Sequence, residues 1–201
     1  MDDIRAHGRV LLARHGQTRW NVEGRRLGRE DIPLDEVGRV QALHLRDALA
    51  DQRIDVIYAS PLARARETSA PLARSRGLGV RLDDDLLEFD FGTLSGSSRA
   101  EVKLPLRRRH LTMPVPGGES LRDVWRRGEH FVQRLAAELG TDATVLIVGH
   151  RRINRMLVGI LHGHDLEQTA AADHYRPDPG SLVAFDVAVI DRSLRLAHAA
   201  G

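Results

Sequence analysis

Three short apolar runs, "RVLLA" at 9–13, "IDVIYA" at 54–59 and "TVLIV" at 144–148, each stop at groups that belong beside a ligand rather than in a core. The first stops at Arg14-His15-Gly16 and the second at Ser60-Pro61, with Arg64 close behind. The third stops at Gly149-His150. Brief aliphatic runs bounded by charge or turn residues read as strands buried on both faces. Helical patterns separate them. Asp35 is placed to cap a helix over 36–50, with Val37, Val40 and Leu43 on its apolar face. Ser60 and Pro61 read as the cap and first position of a helix carrying Arg64, Arg66 and Glu67, which Pro71 should kink or end. Ser120 with Asp123 reads as a capping box opening a helix over 120–139 that Gly140 closes. A further helix over 152–161 and a late strand over 181–189 complete the pattern. Strands alternating with helices predict an α/β fold with a mostly parallel sheet covered on both faces. No linker divides the chain, so residues 1–201 read as one domain, with the polar, Pro/Gly-rich segment 93–118 as a short insertion.

Open α/β sheets bind ligands beyond the carboxyl ends of their parallel strands. If the three strands are neighbours, His15, His150, Arg14 and Arg64 converge there, beside two helix N-termini. Such a place attracts an anion, most naturally a phosphoryl group. A neutral imidazole is a competent nucleophile near pH 7, so one histidine can take the phosphoryl group while the arginines spread its charge. A leaving alkoxide needs a proton. "LLEFDFG" at 86–92 offers Glu88 and Asp90 among apolar neighbours for that task.

Composition narrows the function classes. There are no cysteines, which excludes disulfides, thiolate metal sites and cysteine nucleophiles. Thirty Lys and Arg against 28 Asp and Glu leave a net charge of only +2, so bulk charge argues for neither nucleic acid nor membrane as partner. "MDDIRAHGR" has no apolar core and is not read as a secretory signal, and no apolar stretch suits a bilayer, so a cytoplasmic location is expected. "LHGHD" at 161–165 reads as a loop rather than a metal site, and "LRRRH" at 106–110 as a solvated face or a lid. Trp20 and Trp125 read as packing residues.

Taken in order, these segments resemble the histidine phosphatase superfamily, also called phosphoglycerate-mutase-like. "ARHGQT" followed by "RWN" is similar to its opening signature, and "ASPLARARET" to the segment with its second phosphate-binding arginine. "LLEFDFGTLSG" resembles its acid-bearing segment, "PGGES" the approach to its long helix, and "VLIVGH" the strand delivering its second histidine. The resemblance implies a three-layer α/β/α sandwich and a phosphohistidine formed on His15. It implies that Arg14, Arg64, His150 and Asn21 hold the phosphoryl oxygens, with Gln17 at the same site. Glu88, rather than Asp90, would be the proton donor and later the base for water. It implies no metal and no cofactor. The expected partner is a small phosphorylated metabolite, the expected assembly a monomer or homodimer. One departure stands out. The family usually follows its second histidine with glycine, whereas "GHRRIN" puts Arg151 and Arg152 there, which suggests an arginine, Arg151 first, reading an extra anionic group on the substrate. A metal-independent phosphatase acting on a small phosphomonoester is the expected function. A phosphoglycerate mutase and a non-catalytic phospho-ligand module are the alternatives. Full-length mutases of the family are longer through a larger insertion, so the short insertion favours hydrolysis.

Overall fold

A computed structural model describes residues 8–100, 110–138, 143–171, 177–190 and 193–196. Six strands form one sheet: β1 (Gly8–Arg14), β2 (Val56–Ala59), β3 (Val80–Leu82), β4 (Thr144–Gly149), β5 (Leu182–Ile190) and β6 (Ser193–Leu196). Their spatial order is β3-β2-β4-β1-β5-β6. The first four are mutually parallel, and β5 and β6 add antiparallel strands beyond β1. The helices are α1 (Arg19–Val22), α2 (Glu36–Ala48), α3 (Ala63–Arg76), α4 (Leu121–Glu138), α5 (Arg151–Leu161) and α6 (Leu166–Ala171).

Strand side chains alternate between faces, so each parallel strand feeds two cores. Leu11, Ala13, Ile57, Ala59, Leu146 and Val148 point to α2 and α3, meeting Leu45, Leu49, Ala65 and Leu72. Val10, Leu12, Tyr58, Val145 and Ile147 point the other way, against Val124, Phe131, Leu135 and Ile153 of α4 and α5. The three-layer sandwich follows from that alternation. No described helix is long and apolar enough to cross a membrane.

Three local expectations are corrected. The apolar face of α2 is not Val37, Val40 and Leu43, which are 51%, 49% and 40% exposed; Gly38, Ala42 and Leu45 face inward instead. The cause is backbone contact. A Cβ on Gly38 would collide with the carbonyl of Gln17, so only glycine allows α2 to lie against the loop after β1. That contact sets the rotation of the helix and turns the valines outward. Pro71 does not end α3, which continues to Arg76 and closes on Gly77 in the left-handed conformation. Proline deprives the Glu67 carbonyl of its helical donor, yet burial of Leu72 and Ala73 outweighs one lost hydrogen bond. The same helix begins at Ala63, with Leu62 rather than Ser60 at its cap position. The Ser120–Asp123 box is present, each residue's side chain accepting from the other's backbone N–H. Gly140 and the basic run 107–109 lie outside the described residues, as does much of segment 93–118. Its described flank is tied to the loop after α1: Arg26 N donates to Ser97 O at 3.0 Å and Gly96 N to Arg26 O at 2.8 Å.

Asn154, on α5, donates to Ala13 O at 3.0 Å and so ties α5 to β1. A Cβ on Gly149 would overlap its carboxamide oxygen. Gly149→Ala should therefore destabilise the fold by about 1–3 kcal/mol in urea unfolding. Gly149→Ala combined with Asn154→Ala should cost clearly less than the two single changes summed, because the clash and the tie share one carboxamide.

Candidate active site

Parallel pairing of β1 with β4 aligns Arg14 with Gly149, so the next residue of each strand, His15 and His150, emerges side by side. His15 N donates to Gly149 O at 3.0 Å, which holds that register past the strand ends. The two rings lie 5.1 Å apart, tilted by 56°. Both are buried, at 3% and 0% exposure. His15 Nδ1 lies 2.7 Å from Gly16 O. A carbonyl only accepts, so Nδ1 carries the proton and Nε2 keeps its lone pair. Arg64 Nε donates to His150 Nδ1 at 3.2 Å. A guanidinium only donates, so His150 carries its proton on Nε2, a buried atom without a hydrogen-bond partner among the described residues. One ring thus offers a nucleophilic nitrogen and its neighbour an unspent N–H.

Arg64 is fully buried in the first turn of α3 and is fixed by the carbonyls of Glu30, at 2.6 Å, and Gly28, at 2.7 Å. Asp31, from the same loop, caps α3 by accepting from Ala63 N at 2.6 Å. Arg14, at the end of β1, donates to Pro177 O at 2.8 Å and keeps a buried Nε with no partner among the described residues. Glu88 is buried beside the start of α5. Its carboxylate accepts from Arg152 N at 3.1 Å and from Phe89 N at 2.8 Å. Asp90 faces elsewhere, accepting from Gly92 N at 2.8 Å and lying 3.8 Å from Arg29 Nε. Glu88 is therefore the carboxylate held against the helix that His150 caps.

The remaining predicted residues divide. Asn21 sits one turn beyond the nucleophile loop, and its Oδ1 accepts from Thr18 N at 3.1 Å in a capping box. Gln17 turns its carboxamide toward α2, donating to Asp35 Oδ2 at 3.1 Å. Arg151 and Arg152 open α5, and Arg66 is exposed on α3. Thr68 was not anticipated. Its hydroxyl accepts from Gly16 N at 2.9 Å and donates to Arg64 O at 2.7 Å, joining the nucleophile loop to the arginine helix. Its place one helical turn after Arg64 is the only signal the sequence carries. At the 161–165 loop, His162 Nδ1 bonds Val158 O at 2.8 Å and stacks on His164 at 5.2 Å. Among the described residues no His, Asp and Glu cluster of metal-binding size occurs.

Burial, then the charges of Arg64 and Arg14, hold His15 well below its ordinary 6.5. Burial and Arg64 depress His150 likewise, with smaller contributions from His15 and Arg14. Burial brings the Arg14 and Arg64 guanidiniums down to about 10, offset in part by Glu88. At neutral pH the pocket thus holds two neutral imidazoles between two cations. That arrangement suits receipt of a phosphoryl dianion.

Comparisons with known proteins agree with this geometry. The family model of the histidine phosphatase superfamily, branch 1, matches residues 10–195. Phosphoserine phosphatase 1 of Hydrogenobacter thermophilus is 35% identical over 167 residues, covering 80% of this chain and 79% of that protein. A 2,3-bisphosphoglycerate-dependent phosphoglycerate mutase of Chelativorans sp. is 31% identical over 197 residues, covering 88% of this chain and 96% of the mutase. The solved structure of a mycobacterial glucosyl-3-phosphoglycerate phosphatase superposes with a TM-score of 0.83 at 28% identity, covering 95% of this chain and 96% of that one. The mutase match corrects the expectation drawn from length. A mutase of comparable size exists, so a short insertion does not by itself favour hydrolysis.

The two depressed histidines make stability depend on pH. Below pH 6.5 the unfolded chain binds protons at both positions that the folded chain does not. The contribution is therefore complete above that pH and is lost as the pH falls. Each histidine adds a slope approaching about 1.4 kcal/mol per pH unit. Urea unfolding of the phosphate-free protein between pH 7 and 5 should show it, and His150→Gln should flatten the slope by about one proton's worth.

Proposed function

The chain belongs to the histidine phosphatase superfamily, and from that premise we propose that it is a phosphatase hydrolysing a small phosphomonoester in two steps through a phosphohistidine on His15. The observation that supports this most is the ring pair. His15 Nε2 is unprotonated, and the N–H of His150, 5.1 Å away ring to ring, has no hydrogen-bond partner among the described residues.

In the first step the Nε2 lone pair of His15 attacks phosphorus and the P–O ester bond breaks. The leaving oxygen takes the proton of Glu88. Arg14, Arg64 and His150 Nε2–H hold the three other oxygens as their charge redistributes, and Asn21 can add its amide N–H groups. In the second step Glu88, now ionised, takes a proton from water. The water oxygen bonds phosphorus, the P–N bond breaks, and phosphate and neutral His15 are regenerated. Glu88 must be protonated at the start. Two guanidiniums and an imidazole N–H supply the positive charge, so no step calls for a metal ion.

The match to a mutase of similar length supports a second reading, in which the phosphoryl group returns to another hydroxyl instead of to water. Phosphate release from a panel of phosphomonoesters, with chelator present and no bisphosphoglycerate, separates the two. The phosphatase reading expects turnover that His15→Ala lowers by at least about a thousandfold. Transfer that requires bisphosphoglycerate, with little free phosphate, would overturn it. Glu88→Gln should lower kcat by about 10²–10⁴ on alkyl phosphates. The loss should be far smaller on p-nitrophenyl phosphate, whose leaving group departs without a proton.

A further inference from the structure

A group of arginines beside the phosphoryl pocket has no task in the two steps above. Arg151 and Arg152 open α5 directly after His150. The Arg152 guanidinium lies over Phe91 at 4.8 Å and Phe89 at 5.2 Å. Arg26 approaches the Phe91 ring at 5.8 Å. Arg99 follows the strand-like contact of Ser98 with Arg25, its N–H on Gly24 O at 3.0 Å. Most arginines among the described residues are spent on carbonyls or carboxylates: Arg14 on Pro177, Arg29 and Arg127 on Glu119, Arg134 on Asp83 and Asp85. The side chains of Arg99, Arg151 and Arg152 have no hydrogen bond or ion pair among the described residues. Others in that condition, such as Arg66 and Arg122, are exposed on helix surfaces, whereas Arg151 and Arg152 are half-buried, with Arg99 the exposed member of the three.

The half-buried placement of Arg151 and Arg152 is costly without a counter-ion. Like charges repel one another strongly where water is scarce. Burial draws the Arg152 guanidinium down to about 10, with Glu88 pulling the other way and the charges of Arg151, Arg99 and Arg26 adding to the fall. Glu88 cannot neutralise the group in the reacting complex, since it must then carry a proton. Backbone geometry does not explain the arginines either. His150 is extended at φ −128° and α5 starts normally at Arg151, so nothing in the turn selects these residues.

We propose that Arg99, Arg151 and Arg152 form a second anion subsite that selects phosphomonoesters carrying another anionic group, a carboxylate or a second phosphate, on the leaving-group side. The side follows from Glu88. That carboxyl protonates the leaving oxygen, and it is held by the backbone of Arg152, so what departs past Glu88 meets these guanidiniums. Planar guanidinium forks match either oxyanion in bidentate fashion. The inference rests on the phosphoryl-transfer reading for the position of the ester.

The test is calorimetric binding of matched non-hydrolysable phosphonates to the intact protein. 3-Phosphonopropionate should bind about tenfold to a hundredfold more tightly than propylphosphonate, which lacks the carboxylate. Propane-1,3-bisphosphonate in a third arm shows whether carboxylate or phosphate is preferred; tighter binding of either supports the subsite. Arg151→Ala and Arg99→Ala should each shrink the ratio, their combination should cut it at least about fivefold, and Arg151→Lys should restore part of it. Arg152 is left intact because its stacking braces the Glu88 segment. Equal affinities for all three phosphonates in the wild type, or a ratio that survives the double substitution, would overturn the subsite. Neither result bears on turnover, whereas absence of phosphate release and transfer from every phosphomonoester would overturn the proposed chemistry alone.

Discussion

The register of β1 against β4 is the constraint on which the rest of the site depends. Arg14 aligned with Gly149 puts His15 beside His150, and the bond from His15 N to Gly149 O carries the pairing one residue past the sheet. A slip by one residue would send one imidazole to the opposite face of the sheet and leave the other alone. The hydrophobic alternation that buries Leu11 and Leu146 in one core and Leu12 and Ile147 in the other forbids that slip. Packing energy spread over two cores thus sets the position of two ring nitrogens. Asn154 adds a local lock, since its carboxamide reaches across Gly149 to the Ala13 carbonyl.

Charge is arranged in the same preorganised way. Arg64 is held by two carbonyls and by the ring it orients, rather than by a carboxylate. A carboxylate partner would neutralise it and compete with an incoming anion. Carbonyl dipoles satisfy the donors and leave the charge available. The same guanidinium settles the tautomer of His150, as the Gly16 carbonyl settles that of His15. Thr68 couples the two by touching the Gly16 amide and the Arg64 carbonyl. Little reorganisation then remains for the chemical step.

What was legible in the sequence followed from strong local signals. Aliphatic runs ending in Arg-His-Gly, Ser-Pro and Gly-His marked three neighbouring strand ends, because few residues of those types end a buried strand without a ligand to meet. The Ser120–Asp123 box was legible because a capping motif is complete within four residues. The failures had a different origin. The inward face of α2 was set by contact between the backbones of Gly38 and Gln17, which hydrophobic spacing does not encode. Pro71 read as a residue that kinks or ends its helix, yet the helix does not end there, since the cost proline imposes is local and the burial that outweighs it is tertiary. Glu88 and Asp90 could not be separated by composition. Only the fold shows one carboxylate against α5 and the other against Arg29 and Gly92.

"GHRRIN" gives one short segment two structural tasks. The backbone N–H of Arg152 holds the Glu88 carboxylate against the start of α5, directly after the histidine that caps that helix. The Arg152 side chain lies over the rings of Phe89 and Phe91, which follow Glu88 in the chain. Backbone and side chain of one residue therefore fix where Glu88 stands relative to His150. A glycine in that place would keep the backbone donor and lose the brace, so the arginine does more here than supply charge.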